Sequence, residues 1–287
     1  MRLSLPTGGR GTRRWVLGLA VGAAAVAVTA PAIATTAAAL PTVNMEKVLQ
    51  AAQIDPPRSG TGLTPGAKDY VIRVERALNA KGLLARRYVD GHYGSSTVSA
   101  YAAWQRRLGY SGIGANGIPG RTSLKKLGER RFTVTRIVST GSTRSSWSGK
   151  RINYRTYKMM RAADRKVPWS LRVTQGSYST SVGASAGTHA GGGAVDISVR
   201  SMSTTQRWRT VKALRTVGFA AWLRTPSQGD WPYHIHAIAI SDPDLSKPAR
   251  NQVHDYYFGK NGLRSHAADN TPRKYRVAFT WWEKYLR

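Results

Sequence analysis

The chain has 287 residues, enough for about two domains, and no cysteine, which excludes disulfides and thiolate metal sites. Lys and Arg number 44 against 14 Asp and Glu, a formal charge of +30, which points to a polyanionic partner. The basic residues are scattered, with no recognition-helix, RNA-binding-sheet or zinc-finger signature, so specific nucleic-acid binding is set aside.

Residues 1–34 read as a secretion signal. Arg2, Arg10, Arg13 and Arg14 form a basic start, and Trp15 to Ala30 is an apolar run short for a membrane span. Ala32-Ile33-Ala34 then supplies an A-x-A cleavage site. Thr12-Arg13-Arg14-Trp15-Val16-Leu17 is Tat-like, so Tat and Sec export both fit. The expectation is an exported protein with no stable membrane span after signal cleavage. Residues 35–64 hold Pro41, Pro56-Pro57 and Ser59-Gly60-Thr61-Gly62 and read as a linker, with one short helix from Met45 to Ala52.

Residues 65–128 read as a small three-helix module. Tyr70 to Leu78 has apolar residues at helical spacing, and Asp90 to Gly94 is a turn. Ser95-Ser96-Thr97 is placed to cap a helix over Val98–Gly109, and Thr122 to cap a third over Ser123–Leu127. Tyr101, Trp104 and Leu108 share one helical face and are assigned to the core; His92 is a turn residue. Asp90-Gly91-x-Tyr93-Gly94-x-x-Thr97, Trp104-Gln105 and Gly117-Ile118-x-Gly120-x-Thr122 give the module a resemblance to the peptidoglycan-binding type 1 domain. It departs from that family at Trp104, usually Phe, and at Val74-Glu75, where a Gln is usual. The resemblance implies peptidoglycan as a partner, through glycan strand or peptide stem.

Residues 129–150 read as an interdomain segment, with a possible strand over Arg131–Val138. Residues 151–287 then alternate helix and strand. The helices are Tyr154–Lys166, ended by Pro168, then Thr204–Val217, stopped by Gly218, and Ala249–Phe258 after Pro248. The strands are Leu171–Gln175, Ala194–Ser198, Phe219–Arg224 and Trp231–Ile240. Gly176–Gly187 is a small-residue loop. Asp230 reads as a loop-turn residue, His254 and His266 as surface or packing residues, and Trp281-Trp282 as a tail packed on the domain.

Two stretches carry chemistry. In Gly187-Thr188-His189-Ala190-Gly191-Gly192-Gly193-Ala194-Val195-Asp196, three consecutive glycines suggest a sharp bend or a close approach. They separate a loop histidine from a strand aspartate. In His234-Ile235-His236, strand alternation puts both imidazoles on one face. Together these residues offer a His-Asp-His set for Zn²⁺ with a fourth position open, the mark of a catalytic site. The pattern His-x6-Asp followed by His-x-His resembles the LAS family of zinc peptidases. That family includes lysostaphin-like endopeptidases, D-alanyl-D-alanine metallopeptidases and penicillin-insensitive murein endopeptidases. The resemblance implies His189, Asp196 and His236 as zinc ligands and His234 as the catalytic residue that steers the proton of the attacking water. Where the D-alanyl-D-alanine branch commonly has a substrate-contacting arginine, this chain has Gln175-Gly176-Ser177-Tyr178. Gln175 can donate to a scissile carbonyl, and Ser185 precedes the first ligand as in the family, so both are substrate-binding candidates. Some members carry an acid three residues before the last ligand; Tyr233 stands there, which favours the His-x-His branch. A glycosidase needs two facing carboxylates, and no such pair is evident near a motif.

The expected fold is α+β: a three-helix wall-binding module, then a catalytic domain at 151–287 with a central antiparallel sheet flanked by helices. The expected protein is a secreted or wall-located zinc peptidase acting on peptidoglycan stem peptides or crosslinks, as a carboxypeptidase or an endopeptidase. Its basic charge would suit anionic wall polymers. The alternative is a non-catalytic peptidoglycan-binding protein on the same fold.

Overall fold

A computed structural model describes residues 38–57 and 63–287. The secretion signal read at 1–34 lies outside the described residues, as do 35–37 and 58–62 of the segment read as linker. Among the described residues no helix is long and apolar enough to cross a membrane. Leu40–Arg287 forms one compact α+β unit.

The unit begins with strand β1 (Thr42–Asn44) and helix α1 (Met45–Ile54), whose Asn44 side chain caps it by accepting from Lys47 N. Helices α2 (Lys68–Asn79), α3 (Ser95–Arg107) and α4 (Arg121–Gly128) follow. Val71, Val74 and Leu78 of α2 meet Tyr101 and Trp104 of α3 and Leu124 and Leu127 of α4 in one core. The expected caps of α3 and α4 are displaced. Gly94 is the N-cap of α3, and Ser95 to Thr97 lie inside its first turn. Gly120 begins α4, with its N–H bonded to the Ser123 hydroxyl, so Thr122 is not the cap. Thr97 instead donates to Glu75, and at α4 the Ser123 hydroxyl, one residue past Thr122, accepts from Gly120 N while pairing with that of Tyr101.

Strand β2 (Thr133–Thr135) pairs in parallel with β1. A hairpin of β3 (Ser145–Trp147) and β4 (Lys150–Ile152), not anticipated from sequence, leads into α5 (Tyr154–Asp164), capped by Asn153. The central sheet consists of β5 (Val173–Gln175), β6 (Ala194–Ser198), β7 (Phe219–Arg224) and β8 (His234–Ala239). Its order is β5-β6-β8-β7, antiparallel throughout. Helix α6 (Thr204–Thr216) starts with a Ser203/Gln206 capping box, α7 (Lys247–Tyr257) is capped by Ser246, and α8 (Trp282–Tyr285) ends the chain.

Strand alternation divides the sheet into two faces. Val195, Ile197, Phe219, Ala221, Leu223, Ile235 and Ala237 form a core with Met159 and Met160 of α5 and Val211 and Leu214 of α6. On the opposite face, Ala194, Ala220 and Ile238 pack with Ala249 and Val253 of α7. Further along that face the apolar residues give way to Asp196, Arg224, His234 and His236. Arg155, fully buried, holds the C-terminal helix by a bidentate pair with Glu283 at 2.8 Å and a bond to Ile240 O. Removing one partner of such a buried pair costs about 3–5 kcal/mol, because the other charge is left uncompensated.

The loop after β8 is held from two sides. The Gln53 amide donates to Asp242 O and accepts from Ser241 N, and Asn116 donates to Pro243 O and Leu245 O. The same loop receives the three glycines. A Cβ at Gly192 would lie 2.7–2.9 Å from Tyr178 Oη, Asp244 and Asn153, and Gly193 has φ +80°. The glycines are therefore required by close approach and by a left-handed turn.

Glu75 is buried where Asp90 N, Gly91 N and the Thr97 hydroxyl converge on its carboxyl. Burial pushes that carboxyl up to about 8, against these hydrogen bonds. The folded chain therefore keeps a proton that the unfolded chain releases near 4.5, so stability falls as pH rises through that window. Glu75→Gln should remove this component: thermal unfolding between pH 5 and pH 9 should show a smaller loss of stability than wild type.

Candidate metal centre

The ladder registers put the candidate residues in rows. Gln175 lies opposite Asp196, Asp196 opposite His236, and His236 opposite Trp222. The next row is Ser198, His234 and Arg224. Gln175 joins its row because the β5–β6 register shifts by one residue at Thr174, a bulge that re-aims the strand end. His189 comes from the loop before β6. Its chain is tied to the loop after β5 by Ser179 N to His189 O and Tyr178 N to Gly191 O.

His189, Asp196 and His236 offer ligand atoms that all lie within 4.8 Å of one another. Asp196 Oδ1 is 2.7 Å from His236 Nδ1 and 3.4 Å from His189 Nε2. The hydrogen-bond network assigns the protons. His189 Nδ1 faces the Gly176 carbonyl at 2.8 Å and must donate to it, so Nε2 carries a lone pair. That Nε2 is buried without a hydrogen-bond partner. Gln252 donates its amide N–H to Gly262 O, so its oxygen faces His236 Nε2 at 2.9 Å and accepts from it. His236 Nδ1 faces Asp196 Oδ1 at 2.7 Å, donating to it when protonated and offering a lone pair to a metal when the ring is neutral.

With both rings neutral three lone pairs converge; without a metal, a proton between His236 Nδ1 and Asp196 Oδ1 makes the 2.7 Å contact a hydrogen bond. Protonating both rings would bury two cations against one carboxylate, and burial already holds the His236 imidazole below its ordinary value. Burial would raise the Asp196 carboxyl, but the two imidazoles against it keep it well below the usual carboxylate range. A divalent metal ion satisfies all three lone pairs, and two nitrogens with one carboxylate oxygen suit a borderline cation. The residues present therefore fit a metal. Gly176 O and Gln252 Oε1 fix the tautomers that a metal requires.

His234 lies at the edge of this group. Its Nε2 is 3.9 Å from Asp196 Oδ1, and its Nδ1 faces Pro232 O at 2.8 Å. A carbonyl only accepts, so Nδ1 carries the proton and Nε2 is free to take one. All four residues line a cavity of about 1000 Å³. Gln175 lines it too, with its buried Nε2 lacking a partner. Ser185 lies on the same wall, but its hydroxyl donates to Val182 O at 2.6 Å. His254 bonds Ile54 O, and His266 pairs with Asp255; neither lines the cavity.

Two cavity residues were not singled out from the sequence: Gln252 and Arg224. Successive carbonyls of one loop hold them and their neighbour. Lys260 O accepts from Trp222 Nε1, Asn261 O from Arg224 Nη1, and Gly262 O from Gln252. The Trp222 ring stacks on His236 at 6.4 Å. Burial draws the Arg224 guanidinium down to about 10.

His189→Ala, Asp196→Ala and His236→Ala should each abolish binding of a divalent metal, measured by dialysis against a competing chelator. Gln252→Leu should leave the ligands in place and weaken metal affinity about 10–100-fold. No family model, curated protein or solved structure matches this chain.

Proposed function

We propose that this protein is a secreted zinc-dependent peptidase hydrolysing amide bonds of peptidoglycan stem peptides or their crosslinks. The observation that carries the reading is His234: its Nδ1 faces the Pro232 carbonyl, and its Nε2 is turned toward the ligand group and the cavity. An inert metal site closes its coordination with protein ligands, whereas here, among the described residues, three ligand atoms converge beside a proton acceptor. The resemblance of His-x6-Asp and His-x-His to LAS zinc peptidases supports amide hydrolysis. The signal-like start, and the resemblance of residues 65–128 to a wall-binding module, support the bacterial wall as the substrate. The charge of +30 suits anionic wall polymers as a surrounding matrix.

His189, Asp196 and His236 would hold the metal. When bound, zinc supplies Lewis-acid polarisation of a carbonyl and a hydrolytic water at neutral pH. His234 Nε2 accepts the proton of the attacking water and returns it to the leaving amine. The Pro232 carbonyl holds His234 in the tautomer that can do so. Gln175 donates its unpartnered N–H to a substrate oxygen on the β5 side.

Mass spectrometry of crosslinked peptidoglycan incubated with the protein should show zinc-dependent, chelator-sensitive products. Free D-alanine would mark a carboxypeptidase, and conversion of crosslinked dimers to monomers an endopeptidase. Binding without any product from several wall types would favour the non-catalytic alternative. His234→Ala should retain metal and lose at least about 100-fold in turnover; a normal rate with this variant would remove His234 from the mechanism.

A further inference from the structure

We infer that Arg224 anchors a free carboxylate of the substrate, on the β7 side of the metal centre, which deepens the peptidase reading and rests on it. Arg224 ends β7 opposite His234, on the face that carries Asp196 and His236. It is 3 % exposed and lines the same cavity as those residues. Its guanidinium is positioned from two sides: Nη1 donates to Asn261 O at 2.7 Å, and the group lies 5.0 Å from the Trp222 ring. Its Nη2 is buried with no hydrogen-bond partner. Gly262 packs closely on the Trp222–Arg224 pair: a Cβ there would come within 3.0 Å of the Trp222 ring and 3.3 Å of Nη2, so the bare Cα keeps the guanidinium unobstructed on that side.

No acid of the described residues forms an ion pair with Arg224. Asp269 pairs instead with Arg215, and Asp196 faces the histidines. A buried guanidinium held on one side and unpaired on the other is suited to a planar anion, and a carboxylate matches its fork. The cavity's charges agree. Its lining includes Arg224 and Arg264 and a single acid, Asp196, whose charge a metal would neutralise. An anionic substrate group therefore meets attraction and no opposing carboxylate.

The ladder sets the spacing. His234 and Arg224 are one strand apart, about 4.8 Å, and Arg224 lies two residues along from the partner of His236. That places the carboxylate within roughly one or two residues of the scissile carbonyl. Gln175 lies on the opposite side of the ligands, on β5. A substrate would thus run across the sheet, from an amide-donor contact at Gln175 to a charge contact at Arg224.

The carboxylate has two chemical sources: the α-carboxylate of a chain end, or an acidic side chain next to the scissile bond. Two matched pairs of stem-peptide fragments separate them. One pair is acetyl-D-alanyl-D-alanine and its C-terminal amide. The other is acetyl-L-alanyl-D-glutamate amide and acetyl-L-alanyl-D-glutamine amide. Binding is measured by calorimetry on metal-loaded full-length protein, over times in which mass spectrometry shows no fragment turned over. The wild type should bind the acid of one pair about tenfold or more tightly than its amide, and Arg224→Gln should bind the two alike. The pair that discriminates names the source. Equal binding of acid and amide in both pairs, or no binding of any, would overturn the proposal, as would discrimination that survives in Arg224→Gln. Should Arg224→Gln fail to fold, Arg224→Lys supplies the same comparison, and Arg264→Gln should leave the discrimination intact; its loss in Arg264→Gln would overturn the proposal. Zinc-dependent cleavage without carboxylate discrimination would leave the peptidase reading standing. Discrimination without cleavage would keep the anchor and end the peptidase reading.

Discussion

Two imidazole nitrogens and one carboxylate oxygen face one another, and the acceptors behind the rings turn one lone pair of each neutral imidazole inward. That arrangement is unfavourable without a cation, since converging lone pairs in a site of low dielectric repel. The chain maintains it at three points: Gly176 O behind His189, Gln252 behind His236, and the β6–β8 ladder beneath Asp196. The rest of the structure serves to hold those points still.

The support extends outward in layers. Gln252 belongs to α7, whose Val253 and Tyr256 pack in the core shared with α1 and the sheet. Lys260 O, Asn261 O and Gly262 O fix Trp222, Arg224 and Gln252 as a set. The loop after β8 cradles the glycines that precede Asp196, and Gln53 of α1 and Asn116 brace that loop from the helical segment. Asp242 and Asp244 lie within it, their carboxyls raised by burial, with Asn153 bonded to one and Tyr178 to the other. The N-terminal helices are thus structurally continuous with the loop that shapes the site.

Much of the centre was legible because its residues lie in short local patterns. His234 and His236 share a face by the two-residue period alone, and the three glycines announced a close approach that Tyr178 and Asp244 now account for. The α+β class and the strands β6, β7 and β8 followed from apolar alternation bounded by glycine and turn residues. Gln252 gave no such sign: it sits mid-helix, sixteen residues from its partner, and only the folding of α7 over the sheet brings the two together. Arg224 read as an ordinary strand end, because its burial depends on a loop almost forty residues later. The cap of α3 was misplaced because Thr97 is committed to a tertiary bond with Glu75, and that of α4 because Ser123, not Thr122, bonds the Gly120 N–H. The β3–β4 hairpin, of three-residue strands, is too short to show a period.

The most direct test is crystallography of the zinc-soaked protein with anomalous scattering collected at the zinc edge. The account predicts one strong peak bonded by His189 Nε2, His236 Nδ1 and the Asp196 carboxylate, at about 2.0–2.2 Å, with Gln252 still on His236 Nε2. A peak at another place, coordination through His236 Nε2, or no peak at saturating zinc would contradict it.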